Sequence, residues 1–137
     1  MGGMFTDCYS LTEIKGLENI KTDKVTNFSS LFSNCRSIKS LNLTNWNTGN
    51  VTTLYGCFNS CYSLIELDLS YWNVNKVTNL STSFNACYSL KRINFSGWQT
   101  GTLTSIYSFF GNCQSLKYID TSWLNVTSAC TDICYAF

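Results

Sequence analysis

Hydrophobic positions recur along this chain at a fixed interval. Cys8, Cys35, Cys61, Cys87 and Cys113 are separated by 27, 26, 26 and 26 residues. Phe5, Phe32, Phe58, Phe84 and Phe110 lie three residues before each cysteine. Ser10, Ser37, Ser63, Ser89 and Ser115 lie two after it, and Leu11, Ile38, Leu64, Leu90 and Leu116 three after. Ile14, Leu41, Leu67, Ile93 and Ile119 lie six after. Trp46, Trp72 and Trp98 form a further column, as do Val25, Val51, Val77 and Leu103, and Phe28, Leu54, Leu80 and Ile106. Such agreement excludes chance, and a period in this range is the signature of a repeat array. The chain reads as a single repeat domain, 1–137, whose units are anchored at the five column cysteines. The last unit, 119–137, is irregular: Trp123 arrives one place early, while Ile133 and Phe137 fall one place late.

The pattern inside each unit predicts its elements. Leu41-Asn42-Leu43, Leu67-Asp68-Leu69 and Ile93-Asn94-Phe95 alternate apolar and polar, the mark of a short half-buried strand, with Ile119-Asp120-Thr121 a weaker fourth. Val51, Leu54, Phe58, Cys61 and Leu64 follow i, i+3, i+7, i+10 and i+13, one face of a helix or of a helical turn. The expected fold class is therefore α/β. The expected architecture is a leucine-rich-repeat-like solenoid of about five strand-plus-short-helix units, with the strands side by side in a parallel sheet about 4.8 Å apart.

The motif L-x-L-S-x-W-x-T-x-x-V-T-x-L-x-x-x-F-x-x-C-x-S-L resembles the BspA-like leucine-rich repeats, in particular those of mycoplasma surface lipoproteins. Residues 67–90 follow it closely, and the resemblance covers essentially the whole chain. It implies a solenoid on surface, secreted or phage-encoded proteins credited with adhesion or protein binding, and no shared catalytic residues. Extracellular, cell-surface or virion locations are therefore expected, with the cytoplasm left open. Met1-Gly2-Gly3-Met4-Phe5 shows neither a basic start nor an apolar h-region, so no signal peptide is read there. The chain starts and stops within a unit. A fragment of a larger protein, head-to-tail self-association of open ends, and an irregular last unit that caps the stack all stay open.

Composition removes several function classes. Nine Lys and Arg against eight Asp and Glu leave the chain near neutral, without the basic footprint of a nucleic-acid binder. There is no His, so no imidazole triad or His-bearing metal site is expected. No apolar run reaches the ~20 residues of a membrane span. Eighteen Ser, 16 Thr and 15 Asn suit a turn-rich repeat better than an enzyme. No cofactor is expected.

Candidate residues follow the columns. Cys8, Cys35, Cys61, Cys87 and Cys113 read as a ladder of buried free thiols acting as small hydrophobes, with a disulfide inside the ladder left open. Cys57, Cys130 and Cys134 lie outside the column and lack metal-knuckle spacing. The Trp column reads as packing. The Tyr9, Tyr62 and Tyr88 column accepts Arg36 and Gln114, so it reads as a half-exposed stripe. The outward strand face supplies the candidate binding residues Lys39, Asn42, Glu66, Asp68, Lys91, Arg92, Asn94, Lys117, Tyr118 and Asp120. This face mixes charge signs, which favours a protein or glycan ligand over a polyanion. Glu66 and Asp68 project from one short strand without an enclosing cleft, so acid–base catalysis is not expected. Six N-x-S/T sequons, at Asn27, Asn42, Asn50, Asn79, Asn94 and Asn125, read as by-products of an Asn- and Thr-rich repeat. The leading expectation is a non-enzymatic recognition scaffold on a surface. The alternative is a structural part of a virion or repeat array.

Overall fold

A computed structural model describes residues 1–137. It contains a single 3-10 turn, Leu17–Asn19, and two strands, β1 (Glu66–Asp68) and β2 (Arg92–Asn94). The strands pair in parallel, with Glu66 opposite Arg92, Leu67 opposite Ile93 and Asp68 opposite Asn94. No α-helix is present, and the expected strands at 41–43 and 119–121 do not form. The α/β leucine-rich-repeat solenoid of about five strand-plus-helix units is thereby overturned.

The backbone explains why the helix pattern misleads. Every second N–H of the segment 28–35 leaves its own turn. Ser30, Phe32 and Asn34 donate to the carbonyls of Tyr55, Cys57 and Asn59, each at 2.8 Å. The intervening N–H groups of Leu31, Ser33 and Cys35 close local turns onto Phe28, Ser30 and Phe32. The same alternation recurs onward: Gly56, Phe58 and Ser60 donate to Ser81, Ser83 and Asn85, and Thr82, Phe84 and Ala86 to Tyr107, Phe109 and Gly111. A helix keeps its N–H groups inside one segment; here half of them join neighbours about 26 residues apart. Parallel bridges Asn27–Thr53, Thr53–Asn79, Asn79–Ser105 and Ser105–Asp132 extend the line.

Left-handed residues make this possible. Ser30 and Asn34, Thr82 and Ala86, and Ser108 and Asn112 all have φ between 50 and 62°, and Gly56 with Ser60 repeats the pair at 60 and 59°. Two such residues, four apart, bend the chain so that Phe28, Phe32 and Cys35 still face inward. The apolar period therefore imitates a helix, although the chain is a run of turns. A non-glycine residue held at positive φ costs of order 1–3 kcal/mol, and it persists only where the surroundings fix it. The hydrogen bonds to the next segment supply that fixing.

On the opposite side the strands are short for a local reason. Leu64 N–H closes a turn on Cys61, and the Asp68 carboxylate already accepts the N–H of Ser70 at 2.9 Å. Little extended chain is left between these turns. Asn42, Asn94 and Asp120 close the equivalent turns on Thr44, Ser96 and Ser122. Asn27 and Asn79 do the same for Ser29 and Ser81. Four of the six sequons thus sit at turns where an Asn side chain bonds the backbone two residues on, a conformational requirement that fits an asparagine.

The core is a stack of aromatic rings. Phe5, Phe32, Phe58, Phe84 and Phe110 follow one another at 5.3, 5.6, 5.1 and 5.4 Å, with interplanar angles of 14° or less. Each such pair contributes about 0.5–1.5 kcal/mol beyond its buried area. Trp46, Trp72 and Trp98 are buried beside them. Trp46 and Trp98 donate Nε1–H to the carbonyls of Leu17 and Leu69. Trp72 Nε1 is buried without a partner, and nothing in the structure explains the difference.

The cysteine column has a more specific role than a small hydrophobe. All eight cysteines are free. The thiols of Cys35, Cys61, Cys87 and Cys113 donate to the carbonyls of Phe5, Phe32, Phe58 and Phe84 at 3.1, 3.2, 3.2 and 3.0 Å. Each thiol thus tethers its segment to the preceding one. Burial pushes the Cys35 and Cys113 thiols up to about 11 from an ordinary 9.0, and it raises those of Cys61 and Cys87 as well.

Two predictions follow from this architecture. Gly56→Ala lowers stability by about 1 kcal/mol in urea unfolding, because its φ of 60° disfavours a side chain; a Cβ there meets only ordinary contacts at 3.5 Å. In a helix the same change would raise stability by a similar amount. Stability in the presence of reductant also falls as pH rises above about 9. Unfolded thiols then release protons that the folded Cys35 and Cys113 keep up to about 11, so the unfolded chain binds fewer protons. Each such thiol contributes a slope of up to about 1.4 kcal/mol per pH unit. Urea midpoints that do not move between pH 9 and 10.5 would contradict this.

Candidate functional site

The largest depression lies across β1, β2 and the segments that flank them. It has a volume of about 720 Å³ and spans Ser40–Leu41, Glu66–Asp68, Lys91–Asn94 and Lys117–Asp120. Four repeat columns build it. Lys91 and Lys117 stand at the entry to their extended segments. Ser40, Glu66, Arg92 and Tyr118 form the next column. Leu41, Leu67, Ile93 and Ile119 follow, and Asp68, Asn94 and Asp120 close the far side.

Eight of the ten strand-face candidates line this groove: Glu66, Asp68, Lys91, Arg92, Asn94, Lys117, Tyr118 and Asp120. All eight are exposed. Lys39 and Asn42 are exposed too but fall outside it. Lys39 borders a shallower hollow with Ser63, Ile65, Ser89, Lys91 and Ser115. Within the aliphatic column Leu67 is fully buried, whereas Leu41, Ile93 and Ile119 are half-buried and reach the groove. The sequence marks these residues as apolar. It does not show that short strands leave them partly uncovered.

The polar groups differ in how far the fold engages them. Arg92 Nη2 donates to Glu66 Oε2 at 2.6 Å, an exposed ion pair across the two strands. A pair this exposed is worth about 0–1 kcal/mol, so it orients the two side chains more than it holds the fold. Asp68 and Asp120 each give one oxygen to a backbone N–H. That bond, reinforced by the Ser122 hydroxyl, holds the Asp120 carboxyl below the usual carboxylate range. Tyr118 is 78% exposed, the most exposed large hydrophobic side chain of the molecule.

The tyrosine stripe is a different kind of surface. Arg36 lies between Tyr9 and Tyr62, its guanidinium carbon 4.6 and 5.1 Å from their ring centres. Tyr62 in turn meets Tyr88 at 4.9 Å. Tyr9 and Tyr88 at the ends of this row remain exposed. No group of three Cys, Asp or Glu side chains is placed to hold a metal ion. No helix is long and apolar enough to cross a membrane.

A family model described as Mycoplasma protein of unknown function, DUF285, matches residues 1–129. No curated protein and no solved structure matches the chain.

Proposed function

We propose that this chain, which belongs to that Mycoplasma family, is a non-enzymatic recognition module, displayed on a surface, that binds a host protein or glycan through the groove over β1 and β2. The observation that carries the reading is the composition of that groove. Its Ser40, Glu66, Arg92 and Tyr118 column changes at every repeat, whereas the Phe, Cys and Leu columns behind it hardly vary. A surface that differs where the scaffold repeats is free to be tuned to a partner. Kinship with the BspA-like repeats belongs to the same reading. The Leu-Asp-Leu-Ser-Tyr-Trp run of residues 67–72 and the Phe-Asn-Ala-Cys-Tyr-Ser-Leu run of residues 84–90 support it, and surface display rests on that kinship. Catalysis is left out because Arg92 engages Glu66, and Asp68 projects from the same short strand without an enclosing cleft.

The test is binding of the purified chain to arrays of host extracellular proteins and glycans. The comparison is a triple variant, Glu66→Gln, Asp68→Asn and Tyr118→Ala. Asn at 68 keeps the turn, as Asn42 and Asn94 do in their own repeats. The triple variant is expected to unfold at the temperature of the parent while losing at least tenfold in affinity for every genuine partner. Undiminished binding would remove the groove from the account.

A further inference from the structure

The groove carries charges that the protein itself leaves unmatched, and their layout fits a particular ligand. Glu66 and Arg92 satisfy each other in the only ion pair of the molecule. Lys91 and Lys117 on one side, and Asp68 and Asp120 on the other, have no ionic partner. Within each extended segment the lysine position precedes the carboxylate or amide position by three residues, as in Lys117 to Asp120. At about 3.3 Å per residue the two sides of the groove are roughly 10 Å apart.

We propose that the groove takes a polypeptide segment in the polyproline II conformation with an acidic and a basic side chain three residues apart, the acid set against Lys91 and Lys117 and the base against Asp68 and Asp120. This rests on the reading of the groove as a recognition surface and names its class of partner. A polyproline II segment has three residues per turn and rises about 3.1 Å per residue, so an i, i+3 pair of opposite charge lies on one face about 9 Å apart and spans the groove. The half-buried Leu41, Ile93 and Ile119 offer apolar contact to the residues between. Asp68 keeps one oxygen free for the incoming cation, since only Oδ1 is held by the backbone; Asp120 carries the same charge, exposed at the equivalent position, beside Ser122. A neutral glycan fits less well. Tyr118 is the single aromatic ring in the lining, and an uncharged ligand would strip water from four charges without replacing it.

The experiment is an amide chemical-shift titration of the full chain with acetyl-Gly-Glu-Thr-Ser-Lys-Gly-amide at low ionic strength. The same peptide with Gln in place of both Glu and Lys, and maltotriose, serve as comparison probes. Expected are saturable shifts confined to residues 66–68, 91–94 and 117–120. Affinity should be at least tenfold weaker for the Gln peptide. It should fall equally for the double variants Lys91→Gln with Lys117→Gln and Asp68→Asn with Asp120→Asn, and be lost near 1 M salt, where screening acts over about 3 Å. No saturable shift at millimolar peptide, equal binding of the Gln peptide, or tighter binding of maltotriose would each overturn the proposal. An array partner that maps to the groove in a chain that ignores the charged peptide would sink this inference alone. A partner that maps elsewhere would sink the recognition reading with it.

Discussion

Everything in this molecule depends on where alternate backbone N–H groups go. A buried peptide group left unpaired is costly, so each N–H must find an acceptor. In the turn ladder every second one finds it in the next repeat, and the rest close turns within their own. Neither set is sufficient alone. The local turns place the donors in line, and the bonds between repeats hold residues such as Ala86 and Thr82 in a left-handed conformation they would otherwise avoid. The 26-residue period is the length of chain needed to return to the same place one layer further along.

Side chains then repeat the logic of the backbone. A phenylalanine ring lies on the ring of the neighbouring repeat, and a thiol bonds the carbonyl of that same neighbouring phenylalanine. Hydroxyls of Thr52, Thr78 and Thr104 do likewise on the outer face, each to the carbonyl of the threonine one repeat earlier. Cohesion thus runs almost wholly along the stack. That leaves the outward side chains over β1 and β2 with little structural duty. Ser40, Glu66, Arg92 and Tyr118 can differ between repeats because the layers are fastened elsewhere.

The period, the columns and most of the core are legible in the sequence because burial demands the same residue type at each return. Eight of the ten groove candidates are legible for the converse reason: polar residues in an alternating segment face out. The absence of helices is not legible. A 3.6-residue helix and a run of four-residue turns place Val51, Leu54, Phe58 and Cys61 on one side alike, so spacing cannot separate them. What separates them is positive φ at Gly56 and Ser60, and a serine gives no warning of it. Strand length is equally hidden, since it is set by turns at Asp68 and Asn94 whose side chains serve as backbone acceptors. The thiol–carbonyl bonds appear in the sequence only as a cysteine column, which predicts burial but not a partner.

The most direct measurement is the scalar coupling transmitted through hydrogen bonds between amide nitrogens and carbonyl carbons in the labelled protein. The account predicts a coupling from the Phe58 nitrogen to the Ser83 carbonyl, matched by couplings from Phe32 to Cys57 and from Phe84 to Phe109. A coupling from the Phe58 nitrogen to the Leu54 carbonyl, four residues back as in a helix, would contradict it.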